Sequence, residues 1–221
     1  MPKRTSAFRD GRQSRPGGGR LWCCLLLLGL VLPGCENQPE GCGGNQSAAA
    51  CLSLASIVPG DEPSGATSNV DAVQDICTAE PGSPLEFEAF TDHYADLTLR
   101  NVLAPGIAQG LAVTLQSFTL TYSLSRCSPL ALTCPQLSGF SAPVGQSVTI
   151  LPNSSATLRL PFVPLAVKNE YVRGGGEVGR LSTSYTATYT LNLRTQFTDD
   201  TITLSGSAEF SLTNFDACET D

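Results

Sequence analysis

From about Cys77 onward the chain alternates apolar and polar residues in short stretches, with turn residues between them. In residues 116–125, Phe118, Leu120, Tyr122 and Leu124 fall on one side and Thr119, Thr121 and Ser123 on the other. A period of two places alternate side chains on opposite faces and predicts a half-buried strand. Shorter stretches of the same kind are 85–90, 94–102, 146–151 and 155–162. Proline at 105, 129, 135, 143, 152, 161 and 164 breaks up any long helix, and no window carries a convincing 3.6-residue period.

The strongest pattern is the C-terminal pair. Tyr185, Ala187, Tyr189, Leu191, Leu193 and Phe197 form one face of a long strand, interrupted by Thr195. Ile202, Leu204, Gly206, Ala208, Phe210 and Leu212 form one face of the next. A two-residue turn at Asp199 and Asp200, or a four-residue loop over 198–201, pairs positions whose numbers add to 399. Leu193 then faces Gly206, Leu191 faces Ala208, Tyr189 faces Phe210 and Phe197 faces Ile202. An odd loop would turn one apolar face outward. Asp-Asp lacks the glycine that a type I′ turn prefers, so the turn type stays open.

One hairpin cannot bury its apolar face alone. The strands before it must supply an opposing layer, and about 140 residues of short alternating strands suit an all-β, two-layer antiparallel β-sandwich. Residues 77–221 are assigned to it as one domain. A membrane barrel alternates in the same way, but residues 186–196 place Thr, Thr, Thr, Asn, Arg and Gln on the outward side, which does not suit lipid.

The N-terminus changes the picture. Lys3, Arg4, Arg9, Arg12, Arg15 and Arg20 precede a twelve-residue apolar run, 21–32, followed by Pro33, Gly34 and Cys35. That is the plan of a secretory signal, and the run is short of the roughly 17–25 residues a spanning helix needs. Its end, Leu32-Pro33-Gly34-Cys35, resembles the lipobox of bacterial lipoproteins, with Pro33 departing from the motif. The resemblance implies a signal peptide over 1–34 and a lipidated Cys35; the rival is an ordinary signal peptide cut nearby. Glu36 does not match the Asp that retains lipoproteins at the inner membrane, so the outer membrane is expected. Residues 35–76, rich in Gly, Ser, Asn, Pro and Ala, read as the lipidated cysteine and a flexible tether. Within them, 48–58 is apolar enough for a short strand or helix.

The whole chain has 13 Lys and Arg and 20 Asp and Glu; six and one of these lie before Cys35, which leaves 7 against 19, a net of −12. Such a surface repels phosphate backbones, so nucleic acid is not expected as a partner. Six cysteines follow Cys35: Cys42, Cys51, Cys77, Cys127, Cys134 and Cys218. An even number in an exported chain points to disulfides. Cys127 and Cys134, just beyond a strand, are expected to pair. Cys77 with Cys218 would close the domain, and Cys42 with Cys51 would make a local bridge, although Cys51 competes for Cys77. With no Cys-x₂-Cys and a single His, zinc is not expected.

Chemistry is sparse. His93, in Asp92-His93-Tyr94-Ala95-Asp96, invites a triad reading, but no Gly-x-Ser-x-Gly elbow exists, and a solvated surface histidine is expected. Glu86, Glu88, Asp92 and Asp96 form an acidic cluster without an EF-hand pattern; Glu86 and Glu88 would share a strand face. Gly174-Gly175-Gly176 lacks both phosphate-loop signatures and reads as a mobile connection. Tyr122, Tyr185 and Tyr189 fall on inward faces, whereas Tyr171 falls in an apparent loop.

Three segments, Gln116 to Tyr122, Leu151 to Leu160 with Lys168 following, and Tyr185 to Phe215, together resemble a group of uncharacterised lipoproteins of Gram-negative, deltaproteobacterial-type bacteria. That resemblance implies an immunoglobulin- or fibronectin-like sandwich on the envelope, without an assigned activity. The expected function is therefore a non-catalytic binding or structural module on the membrane surface, held by its lipid anchor, with a protein or glycan partner and no cofactor. The alternative is a secreted hydrolase built on two carboxylates about 5–10 Å apart.

Overall fold

The computed structural model describes residues 46–47, 50–61, 65–77, 86–103, 109–179 and 181–215. The expected signal peptide over 1–34, Cys35, Cys42 and Cys218 lie outside them. In chain order the strands are Gln46–Ser47 (β1), Ala50–Asp61 (β2), Gly65–Ala66 (β3), Asn69–Asp71 (β4), Ile76–Cys77 (β5), Glu86–Phe87 (β6), His93–Val102 (β7), Val113–Arg126 (β8), Phe140–Ile150 (β9), Ser154–Val163 (β10), Thr183–Thr195 (β11) and Thr201–Thr213 (β12). One short helix, Leu165–Arg173 (α1), joins β10 to β11. The chain is all-β, with antiparallel and mixed sheets.

The first sheet runs β1-β2-β7-β10, with β3 on β2. The second runs β4-β12-β11-β8-β9, and β5 and β6 make a small ladder of their own. All pairings are antiparallel except β4 with β12, which is parallel. Alternation decides the burial. On β7, His93, Ala95, Leu97, Leu99 and Asn101 point inward; on β11, Tyr185, Ala187, Tyr189, Leu191 and Leu193 do. The apolar residues of these faces, with Leu52 from β2, Leu115 and Leu120 from β8 and Phe162 from β10, belong to a single hydrophobic cluster. The outer face of the second sheet is a polar ladder, in which Ser125 bonds Thr186 at 2.6 Å and Thr188 bonds Ser207 at 2.9 Å.

The tether over 35–76 is corrected wherever its residues are described. Ala50–Asp61 is a full strand between β1 and β7. Ala50, Cys51 and Leu52 are buried, and Val70 of β4 pairs with Leu212 near the other end of the domain. The segment is Gly- and Ser-rich, but its apolar residues sit where a strand needs them. Of the shorter strands, 94–102 and 155–162 form nearly as read. Of the stretch 146–151, residues 146–150 belong to the longer β9 and Leu151 to the turn after it; β9 carries Pro143 on a sheet edge, where a missing N–H is tolerated.

The hairpin register is also corrected. Leu193 pairs with Ile202, Leu191 with Leu204, Tyr189 with Gly206, Ala187 with Ala208 and Tyr185 with Phe210, so paired numbers add to 395. The slip of four keeps the apolar residues from Tyr185 to Leu193 and from Ile202 to Leu212 on the inward face, because an even slip preserves the faces. Thr195 does not interrupt the strand. It is buried, bonds Thr198 Oγ1 at 2.6 Å and accepts the Asp200 N–H at 3.0 Å, closing the turn. Phe197 is not in the core but at the tip of that turn, 92 % exposed with φ +76°.

The helix was not expected. Pro164 precedes it and Gly174 closes it, donating to Glu170 O at 2.9 Å, the punctuation that helix ends favour. Its first backbone N–H is served from outside, Leu165 N donating to Asp92 Oδ1 at 2.7 Å. The three glycines are not a mobile connection but the helix cap: Gly175 N bonds Val172 O, Gly176 N bonds Tyr171 O, and a Cβ on Gly176 would collide with the Tyr171 ring.

Candidate functional site

Two strands end their sheets on the same side of the domain, β9 on the second and β10 on the first. The turn Leu151–Asn153 joins them, after which they part into different sheets, and no further strand pairs with either outward edge among the described residues. The gap between them is an open cleft of about 510 Å³. Its floor is apolar: Phe118, Phe140, Val148, Leu158 and Leu160 line it, with Phe118 and Phe140 edge to face at 5.8 Å.

The ladder itself shapes the cleft. Leu115 pairs with Val148 and Ser117 with Pro143, so residues 144–147 of β9 stand opposite the single residue Gln116. This bulge pushes Val144 and Gly145 to the rim, where a Cβ added to Gly145 would meet nothing within 4 Å. Across the gap, β10 has its own irregularity: Pro161 pairs with Tyr94 and Val163 with His93, which leaves Phe162 out of register. Two tyrosine hydroxyls of the other sheet fill the vacated positions. Tyr189 donates to Pro161 O and Tyr122 to Phe162 O, both at 2.7 Å. Burial pushes both hydroxyls above the ordinary tyrosine range, helped for Tyr122 by the Glu170 charge and for Tyr189 by Tyr122; they stay protonated donors.

Among the described lining residues the only ionisable side chain is Arg159, whose guanidinium lies over the Tyr94 ring at 5.2 Å. Such a cleft offers apolar contact and two strand edges. It presents no carboxylate, histidine, lysine or thiol for proton transfer or attack.

The acids singled out in the sequence are elsewhere and divided. Glu86 and Asp96 are exposed, and Asp92 serves α1. Glu86 and Glu88 do not share a face: Glu88 is buried, accepts Asp75 N at 2.8 Å and meets Asp71, which the sequence reading missed. Burial, then the hydrogen bond to Glu88 and its charge, push Asp71 up to about 7. Asp71 also accepts Phe215 N at 3.3 Å, and Asp75 accepts the Asn214 amide at 2.7 Å. These acids clasp the start of the domain to residues 214–215. No group of three or more metal-binding side chains occurs among the described residues.

His93 is a buried core residue, not a solvated one, 1 % exposed. Its Nε2 is 3.1 Å from Thr67 O and its ring 6.0 Å from Phe162. Tyr171 is buried as well, donating to Glu177 O at 2.7 Å and packed edge to face on Tyr185; Tyr185 in turn donates to Pro135 O at 2.8 Å.

Cys127 and Cys134 are disulfide-bonded, with Cα atoms 5.8 Å apart. Inside the ring Ser128 is buried and Leu132 is 98 % exposed, and Thr133 Oγ1 donates to Gly174 O at 2.6 Å. Cys51 and Cys77 are also disulfide-bonded, and the partners expected for them, Cys42 and Cys218, lie outside the described residues.

No helix among the described residues is long and apolar enough to cross a membrane. No protein-family model matches the chain, and neither a curated protein nor a solved structure matches it significantly.

Proposed function

We propose that the chain is a lipoprotein of the bacterial envelope, cleaved before Cys35 and anchored through it to the outer membrane. Its domain is a two-layer immunoglobulin- or fibronectin-like sandwich that acts as a non-catalytic binding module, and its seat is the cleft between β9 and β10. The ligand is an extended apolar segment of a partner protein. One observation carries the reading: an open, largely apolar cleft lies between two sheet edges that pair with no other described strand. An extended peptide satisfies such edges by backbone hydrogen bonds and fills the floor with alternate side chains. Pro143, the bulge and Arg159 at the rim are the devices by which natural edges resist unspecific pairing. The twelve-residue apolar run and the Leu-Pro-Gly-Cys ending support the anchor. The carboxylate hydrolase draws no support from the cleft, whose described lining has no carboxyl group.

A photo-crosslinking residue at position 145, where a side chain has open space, tests the seat in cells of the source organism. A discrete adduct that is missing when the crosslinker stands at the exposed Thr121, on the outer face, is the expected result. Adducts at both positions or at neither remove the cleft as the binding site.

A further inference from the structure

The two ends of the domain differ. At one end the turn Leu151–Asn153 and the turn after β11 lie side by side. Thr195 pairs with Val113, and Val113 with Ile150, so the turns are two strand spacings, about 10 Å, apart. Leu151 is 60 % exposed and Phe197 92 %. Among the described residues, those other than glycine with positive φ, Asn153, Phe197 and Asp199, all belong to these two turns. A bulky side chain at positive φ is a true outlier, and glycine would relieve it. Phe197 is thus poorly placed for backbone strain and for solubility at once, a combination that points to use.

The same end receives the chain. Gln46 pairs with Cys51, Cys51 with Val102, and neighbouring Asn101 with Ser154, just past the Leu151 turn. Eleven residue steps separate Cys35 from Gln46, a reach of at most about 40 Å. The other end, with the Cys127–Cys134 ring, lies the length of β11 further on, again about 40 Å at the usual rise. The charges beside Phe197 are nearly balanced: Arg194 pairs with Asp199 at 3.1 Å, and Asp200 accepts from Thr198 at 2.8 Å. That balance suits zwitterionic headgroups better than a strongly anionic surface.

We propose that the end bearing Phe197 and Leu151 rests on the bilayer that holds the anchor, with both side chains in contact with lipid. This inference rests on the lipoprotein reading, and one experiment separates the two. The only tryptophan of the chain is Trp22, in the leader, so in the mature protein Phe197→Trp introduces the sole indole. The full chain, processed in a Gram-negative host and reconstituted into phosphatidylcholine vesicles with or without brominated acyl chains, reports contact by quenching. Phe197→Trp is expected to lose most of its emission with brominated lipid, and Leu132→Trp, at the far end, to keep it. Acylated, vesicle-bound protein in which the indole at position 197 is unquenched, or in which both positions are quenched alike, overturns the docking alone. An intact mass without acyl groups overturns the anchor and the docking with it.

Discussion

Removing one hydroxyl tests how the two sheets are held together. Tyr189 is fully buried. Its ring stacks near Phe162 at 6.5 Å and tilts against Phe118 at 6.3 Å. Tyr189→Phe keeps the ring and its apolar burial and deletes only the donor to Pro161 O. That carbonyl lies where the β10 register shifts, and an acceptor left without its donor in such a part-buried place costs about 1–3 kcal/mol. For a domain of this size each kcal/mol lowers Tm by about 2–4 °C. Urea unfolding near pH 7, with the slope unchanged, is the assay. Tyr122→Phe should cost a similar amount by freeing the adjacent Phe162 O. Because the two carbonyls are consecutive, the double variant should depart from additivity by about 0.5 kcal/mol or more. A loss within about 0.3 kcal/mol for Tyr189→Phe, with strict additivity, would mean that water already serves these carbonyls and that the tyrosines do not join the sheets.

Asp71 keeps a proton in the folded state up to about pH 7, whereas an ordinary aspartate releases it near 3.8. Folding takes up a proton in that window, so stability falls as pH rises from about 4 to about 7 and levels off above it; Asp71→Asn should match the wild type at pH 4 and exceed it at pH 8 in thermal unfolding. Phe210→Ala should cost about 3–5 kcal/mol and Thr121→Lys, on the polar face, within about half a kcal/mol, with equal losses in urea refuting the inward and outward assignment. Gly206 lies opposite Tyr189 and beneath Leu54, which a Cβ would strike, so Gly206→Leu should destabilise by about 1–3 kcal/mol through overpacking; a neutral result would return the register to 399. Opening the Cys127–Cys134 ring by Cys127→Ser with Cys134→Ser should cost about 2.5 kcal/mol on chain entropy, and no change in the denaturation midpoint would show that Ser128 and Thr133 hold the loop unaided.

Faces were legible in the sequence because strand alternation is local. The inward residues of β11 follow from parity, as do Phe118 and Leu120 on β8 and Ile202 to Leu212 on β12, and parity survives any even slip. Val113 and Leu115 have the opposite parity because the register of β8 shifts between Leu115 and Ser117. Turn length was not legible: it depends on the Thr195 side chain closing on Asp200, and a threonine among apolar residues gives no sign of that. His93 had a signal that went unused, since it is the same parity as Leu97 and Leu99 on β7. Helix α1 shows too few turns for a period, although Pro164 and Gly174 mark its ends. Strand β2 hid in a Gly- and Ser-rich context because its buried positions are few and its pairing with β7 is distant in sequence. The cleft was invisible for a similar reason: it exists only where two strands consecutive in the chain part company into different sheets. Asp71 escaped notice because its partner Glu88 is brought to it by folding.

The parallel pairing of β4 with β12 has a consequence for how the domain comes into being. Val70 meets Leu212 across more than 140 positions of chain, and Leu54 of β2 closes over Gly206. Neither the first strands nor the core they cover can be completed until the last strand is present. Contacts so far apart in sequence slow folding, because loop closure comes before the contacts that reward it. A chain emerging from a ribosome or a translocation channel holds its inner faces open until β12 arrives. During that interval its apolar edges are exposed to other chains, and a holding chaperone would have the longest time to act.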